Sequence, residues 1–269
     1  MEHFLPPPSP RPTITHPNCT VATPVGYRPL HLDLHLPGGP GPFPVILWIH
    51  GGGWQEGSRL WLPDSIEPYG FHDRAVGRGY AVADVDYRLA SEAPYPAQLA
   101  DVQAAIRWLR HYASRLRLDP HRFATLGESA GGHLAAMAGL TGTGDTAIGA
   151  VVNWYGAADL DFRDASDPHT APAMLLGGPI EERRDYARWA SPVHRAHPGA
   201  PPFLNVHGTA DSIVPFSQSE RLAEALRAHG VRCDLLPVAG AEHCFVGHPD
   251  IAALIEASLD FLDEVLGQV

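Results

Sequence analysis

The chain has 269 residues, 45% hydrophobic and 18% charged, the balance of a globular domain with room for one large core. A formal net charge of −11 repels nucleic acid and anionic membrane surfaces, which argues against both as partners. The three cysteines, Cys19, Cys233 and Cys244, have neither a disulfide-framework spacing nor a zinc spacing.

Residues 1 to about 20 are rich in proline and carry no apolar period, so an extended arm is expected there. Met1-Glu2-His3-Phe4 followed by Pro6, Pro7 and Pro8 has neither a basic nor an apolar leader segment, and a cytoplasmic location is expected. The longest apolar run, Val45 to Ile49, is far too short to span a bilayer.

From Leu30 the pattern Leu-His-Leu-Asp-Leu-His-Leu alternates strictly, which predicts a half-buried strand. His31, Asp33 and His35 then share one face, read as solvated rather than as a metal cluster. Val45 to Ile49 predicts a strand covered on both faces, and Tyr80 to Val85 another. Leu99, Val102, Ile106 and Leu109 fall at helical spacing. Phe123 to Leu126 reads as a short strand and Ala130 to Leu140 as a helix. Further strands are predicted at Ile148 to Trp154, Phe203 to His207 and Val231 to Val238, with helices at Ser217 to Ala228 and Ile251 to Leu266. Strands alternating with helices imply an α/β fold, a mostly parallel sheet with helices on both faces. No repeat or composition break marks a second domain, so residues 1–269 are read as one. Residues 160 to 190 show no clear period, and such a segment often carries function.

Gly127-Glu128-Ser129-Ala130-Gly131 is the only G-x-S-x-G in the chain. It lies between a strand and a small-residue helix, the context that a strained nucleophile elbow requires. A serine hydroxyl needs a base, and the base an orienting acid, in the order Ser, acid, His for this fold. Asp211 follows the strand Phe203 to Val206, and His243 follows the strand ending near Val238. Both sit beyond the carboxyl ends of parallel strands, where open α/β sheets bind ligands. His50-Gly51-Gly52-Gly53-Trp54 follows another strand, and the amides of Gly52, Gly53 and Ala130 are read as donors to a tetrahedral oxyanion. Trp54 and Tyr155 are expected to line a substrate pocket and Trp154 to fill the core. Cys244 is expected to point away from the site, and Glu128 to be held in structural hydrogen bonds beneath the elbow.

Taken with Asp86-Tyr87-Arg88-Leu89 and His207-Gly208-Thr209-Ala210-Asp211, these motifs resemble the hormone-sensitive-lipase-like carboxylesterases, above all the bacterial branch with feruloyl and acetyl-xylan esterases. The resemblance runs from about Leu30 to the C-terminus and implies the α/β-hydrolase fold. It also implies a triad of Ser129, Asp211 and His243, with the glycine run as oxyanion hole. Larger relatives carry an N-terminal helical cap. Only about 29 residues precede the first strand here, so a small or absent cap is expected, with residues 55 to 72 and 160 to 190 over the site.

The implied activity is hydrolysis of short acyl or aryl esters through an acyl-enzyme, without metal or cofactor, on a small-molecule substrate. A plant-polymer substrate is not expected, because no leader is read. Arylformamidase-type amide hydrolysis is the alternative, since that group shares a similar His-Gly-Gly-x-Trp loop. A non-catalytic ligand-binding member of the fold is the third reading. Monomer and homodimer both stay open.

Overall fold

A computed structural model describes residues 15–267. Eight strands form one sheet: β1 (His16–Ala22), β2 (Leu30–His35), β3 (Phe43–Ile49), β4 (Ala81–Val85), β5 (Leu118–Glu128), β6 (Ala150–Trp154), β7 (Phe203–Gly208) and β8 (Cys233–Val238). Their order is β1-β2-β4-β3-β5-β6-β7-β8. The pairs β1/β2 and β2/β4 are antiparallel and the remaining neighbours parallel. Among the described residues eight α-helices accompany them: α1 (Phe71–Gly77), α2 (Ala97–His111), α3 (Ala113–Leu116), α4 (Ala130–Thr141), α5 (Ala171–Leu176), α6 (Arg184–Trp189), α7 (Ser217–Ala228) and α8 (Ile251–Leu266).

The central strands show why their sequences lack polar alternation. In β3 every residue is buried, with Val45, Leu47 and Ile49 in the core under α2, α4 and α7. Ile46 and Trp48 lie in the opposite core, under α1 and α8. Helix α8 turns Leu254, Ile255, Leu259 and Leu262 to the sheet, and the Asp250 carboxylate caps its first turn through the Ala253 amide at 3.0 Å. Among the described residues no helix is long and apolar enough to cross a membrane.

Several expectations change in detail. The expected arm ends in strand β1, an edge strand paired with β2, while residues 1–14 lie outside the described residues. Strand β5 begins five residues before Phe123, where Asp119, Pro120, His121 and Arg122 break the apolar run that sequence reading depends on. Segment 160–190 is covered by the short helices α5 and α6, too brief to display a 3.6-residue period.

The face of His31, Asp33 and His35 is not solvated: Asp33 and His35 are each 2% exposed. Strand β2 is flanked by β1 and β4, and Arg59 and His72 close over its polar face. Arg59 pairs with Asp33 at 3.1 Å, and His72 shares the Asp84 carboxylate with His35.

Parallel strands bring the loops after β3, β5, β7 and β8 to one edge of the sheet. His50–Gly53, Ser129, Asp211 and His243 all arise there.

Candidate active site

The turn from β5 into α4 holds Ser129 at φ 54° and ψ −117°, a conformation that side-chain-bearing residues rarely adopt. The turn closes only because its flanks lack side chains. A Cβ on Gly127 would lie 2.2 Å from the Gly131 carbonyl oxygen, and one on Gly131 would lie 2.0 Å from that of Ile49. Five of the seven non-glycine residues with positive φ, among the described residues, surround this site: Trp54, Ser129, Tyr155, Cys244 and Phe245.

The three expected polar groups meet. His243 Nε2 is 2.9 Å from Ser129 Oγ, and its Nδ1 is 2.7 Å from Asp211 Oδ2. Asp211 Oδ1 accepts the amides of Ile213 and Val214 at 2.9 and 2.8 Å. Burial alone would raise the Asp211 pKa, but hydrogen bonds from His207 and His243 hold it well below the usual carboxylate range.

His207 opens the His207–Asp211 motif, and no local pattern assigns it a role. Its Nε2 lies 2.8 Å from the Val214 carbonyl, which requires a proton on that nitrogen, and 3.2 Å from Asp211 Oδ2. Its Nδ1 then accepts from the Ser219 hydroxyl at 2.7 Å. No periodicity marks such a residue; only the fold brings it under Asp211.

Among the described residues, nothing accepts a hydrogen bond from the amides of Gly52, Gly53 or Ala130. The loop carrying the first two is clamped from below. The Gly51 amide donates to Glu128 Oε1 at 2.5 Å, and the Tyr87 hydroxyl donates to the carbonyls of His50 and Gly51 at 3.0 and 3.1 Å. The Tyr87 ring stacks on His50 at 4.2 Å, and burial drives the His50 pKa down to about 4, so the imidazole is neutral. A Cβ on Gly51 would sit 2.0 Å from Glu128 Oε1. Gly51→Ala is therefore expected to displace the donors and lower kcat by about 10²–10³-fold, read by steady-state kinetics on a variant of native circular dichroism.

Glu128 is held as expected, in a structural hydrogen bond beneath the elbow. Burial pushes its pKa up to about 7, against the opposing pull of His243 and the Gly51 amide. Between about pH 4.5 and 7 the folded chain keeps a proton there that the unfolded chain has released. Stability from this group therefore falls as pH rises through that window. Glu128→Gln removes the dependence, so the variant should gain about 3 kcal/mol relative to wild type between pH 5 and pH 8. Paired thermal melts at the two pH values measure it.

A cleft with two lobes opens at Ser129. One, of about 290 Å³, is walled mainly by Trp54, Ala157, Phe162, Pro172, Ile213 and Val214. The other, of about 610 Å³ and more open, is bordered by Gln55, Glu56, Trp61, Glu128, His243 and Cys244. Segments 55–72 and 160–190 thus both contribute walls. Trp54 lines the first lobe as expected, its ring edge-on to buried His133 at 5.2 Å. Trp154 is core, packed on Trp48 with its Nε1 donating to Ser258 at 3.0 Å.

Tyr155 is a correction. It lines neither lobe, because φ of 41° after β6 turns its ring beneath His243, with centroids 4.9 Å apart, and against Phe245 at 4.7 Å. It supports the imidazole rather than touching a ligand. Cys244 is a second correction. A left-handed φ of 57° defeats strand-like alternation and brings it to the cleft wall. Burial pushes its thiol up to about 12, which leaves it without thiolate character at neutral pH.

Comparison with known proteins agrees with this geometry. The BD-FAE family model matches residues 32–226. "Esterase LipC" of Mycobacterium tuberculosis is 34% identical over 222 residues, 76% of this chain and 53% of that protein. The chain spans about half the length of the curated relatives it matches. A solved "truncated form of carbohydrate esterase from gut microbiota" superposes with a TM-score of 0.83 at 26% identity, covering 96% of this chain and 99% of that one. The butyrate-bound thermophilic esterase Est2 of Thermogutta terrifontis does so at 0.76 and 29%, covering 94% and 96%. The architecture is that of the α/β-hydrolases, with the motif resemblance and the superpositions in agreement.

Proposed function

The chain belongs to the BD-FAE family of hormone-sensitive-lipase-like α/β-hydrolases, and on that premise we propose that it is a serine carboxylesterase acting on short-chain acyl or aryl esters. The observation that carries the reading is the unbroken relay from Ser129 Oγ through His243 to Asp211, at 2.9 and 2.7 Å.

In this mechanism His243 Nε2 takes the Ser129 proton as Oγ attacks the ester carbonyl. The carbonyl oxygen becomes an oxyanion and accepts from the amides of Gly52, Gly53 and Ala130, whose directions the backbone has already fixed. Asp211 keeps the Nδ1 proton in place and stabilises the imidazolium. The imidazolium then protonates the departing alcohol, leaving Ser129 acylated. A water deprotonated by the same His243 attacks the acyl-enzyme, and collapse of the second tetrahedral intermediate returns the proton to Ser129.

The two lobes suit the two halves of an ester. The smaller, mostly apolar lobe takes the acyl group, with Phe162 and Ile213 limiting its length. The wider lobe, with Trp61, Gln55 and Glu56, takes the alcohol. The gut-microbiota relative's description as a carbohydrate esterase supports adding acetylated sugars to the substrates tested.

The experiment is a panel of aryl esters from acetate to dodecanoate, together with feruloyl esters, acetylated sugars and an aryl formamide. The expected result is kcat/KM highest between acetate and butyrate and falling steeply with longer chains. Highest turnover on the formamide would contradict the ester assignment. Phe162→Ala should raise the hexanoate-to-acetate ratio of kcat/KM about tenfold, the scale of one or two methylenes gaining room.

A further inference from the structure

Strands β2 and β4 and helix α1 converge on a polar cell that the esterase chemistry leaves unused. His35 Nε2 lies 2.8 Å from Asp84 Oδ2, and His72 Nε2 lies 2.8 and 3.0 Å from Oδ1 and Oδ2 of the same carboxylate. The three side chains are 2%, 4% and 5% exposed, and their donor atoms all lie within 4.8 Å of one another. We propose that His35, His72 and Asp84 form a binding site for a divalent cation of the zinc type, tying α1 to strands β2 and β4.

Donor chemistry fits such an ion. Two imidazoles and a carboxylate that turns both oxygens toward them supply a nitrogen–oxygen set suited to zinc or cobalt. Without an ion each Nε2 carries a proton donated to the Asp84 carboxylate. Coordination at His35 moves that proton to Nδ1, which is buried without a partner among the described residues, so no donor occupies its lone pair.

Charge points the same way. The same buried face holds three carboxylates, Asp33, Asp84 and Asp86, at 3%, 5% and 4% exposure. Arg59, 11% exposed, spans Asp33 and Asp86, and the further guanidinium near Asp86, Arg28, is 41% exposed. Asp84 is therefore the carboxylate with no fixed cation beside it, only two titratable rings. A divalent ion there would offset the uncompensated negative charge of this face.

None of the three residues borders the cleft, so metal binding and ester hydrolysis are separable. The full chain, stripped with a chelator and dialysed, is titrated with Zn²⁺ against a chromophoric chelator and with Co²⁺ by visible absorption. The expected result is one ion per chain, a cobalt spectrum of nitrogen–oxygen ligation, and a Tm raised by about 5–10 °C at zinc a hundredfold above Kd. His72→Gln and Asp84→Asn should each abolish the one-to-one binding. His229→Ala, on the exposed surface, and His243→Ala, in the cleft, should retain it. Absence of stoichiometric binding to the wild-type chain overturns the proposal without depending on how any variant folds. So does binding that survives both His72→Gln and Asp84→Asn, or that is lost in His243→Ala.

Discussion

Ser129→Ala is expected to lower kcat for aryl acetate hydrolysis by about 10⁶-fold while leaving the fold intact. The size of the loss follows from how the site is divided. Removing Oγ leaves His243 with nothing to deprotonate and no acyl-enzyme to form, while the Gly52, Gly53 and Ala130 amides still favour a tetrahedral oxyanion. Only that residual stabilisation, with substrate binding in the two lobes, would remain. The fold should tolerate the change because Oγ bonds to His243 alone among the described residues, and alanine meets the same backbone strain at φ 54°. Thermal melts and circular dichroism check the second half of the prediction, and steady-state kinetics the first.

Asp211→Asn should cost about 10⁴-fold in kcat, through the proton rather than through geometry. Asp211 Oδ1 accepts two backbone amides, from Ile213 and Val214, so an asparagine there must keep its carbonyl oxygen on that side. Its NH₂ then faces His243 Nδ1. That nitrogen has to accept, the imidazole proton moves to Nε2, and Nε2 can no longer take the Ser129 proton. The NH₂ would also confront the Nε2–H of His207, whose proton the Val214 carbonyl fixes, so some stability is lost as well. A variant retaining more than a tenth of wild-type kcat would show that Asp211 does not set the tautomer.

Much of this site was legible because the chemistry demands local patterns. A strained serine needs glycines on both sides, and an oxyanion loop needs a glycine run after a strand. Asp211 and His243 were found by their order and their places after strands, and the structure brings both to Ser129. What stayed hidden depends on tertiary contacts or on single backbone angles. Alternation correctly set His35 and Asp33 on one face of β2, but could not tell that Arg59 and His72 would cover it. Sequence pattern misplaces Tyr155 and Cys244 because each takes a positive φ, which breaks the side-to-side rule that extended chain obeys. His207 could be seen only as part of a motif, since its task is to hold another residue. Segment 160–190 was opaque because its helices are of six residues each, shorter than two turns.

Covalent labelling tests the central claim most directly. The wild-type chain is incubated with an aryl phosphonate ester and digested, and the modified peptide is sequenced by mass spectrometry alongside residual activity. The expected result is a single adduct on Ser129 that forms in proportion to the loss of esterase activity, and none in the Ser129→Ala chain. Full inactivation with the adduct on another residue, or full activity with Ser129 stoichiometrically modified, would contradict it.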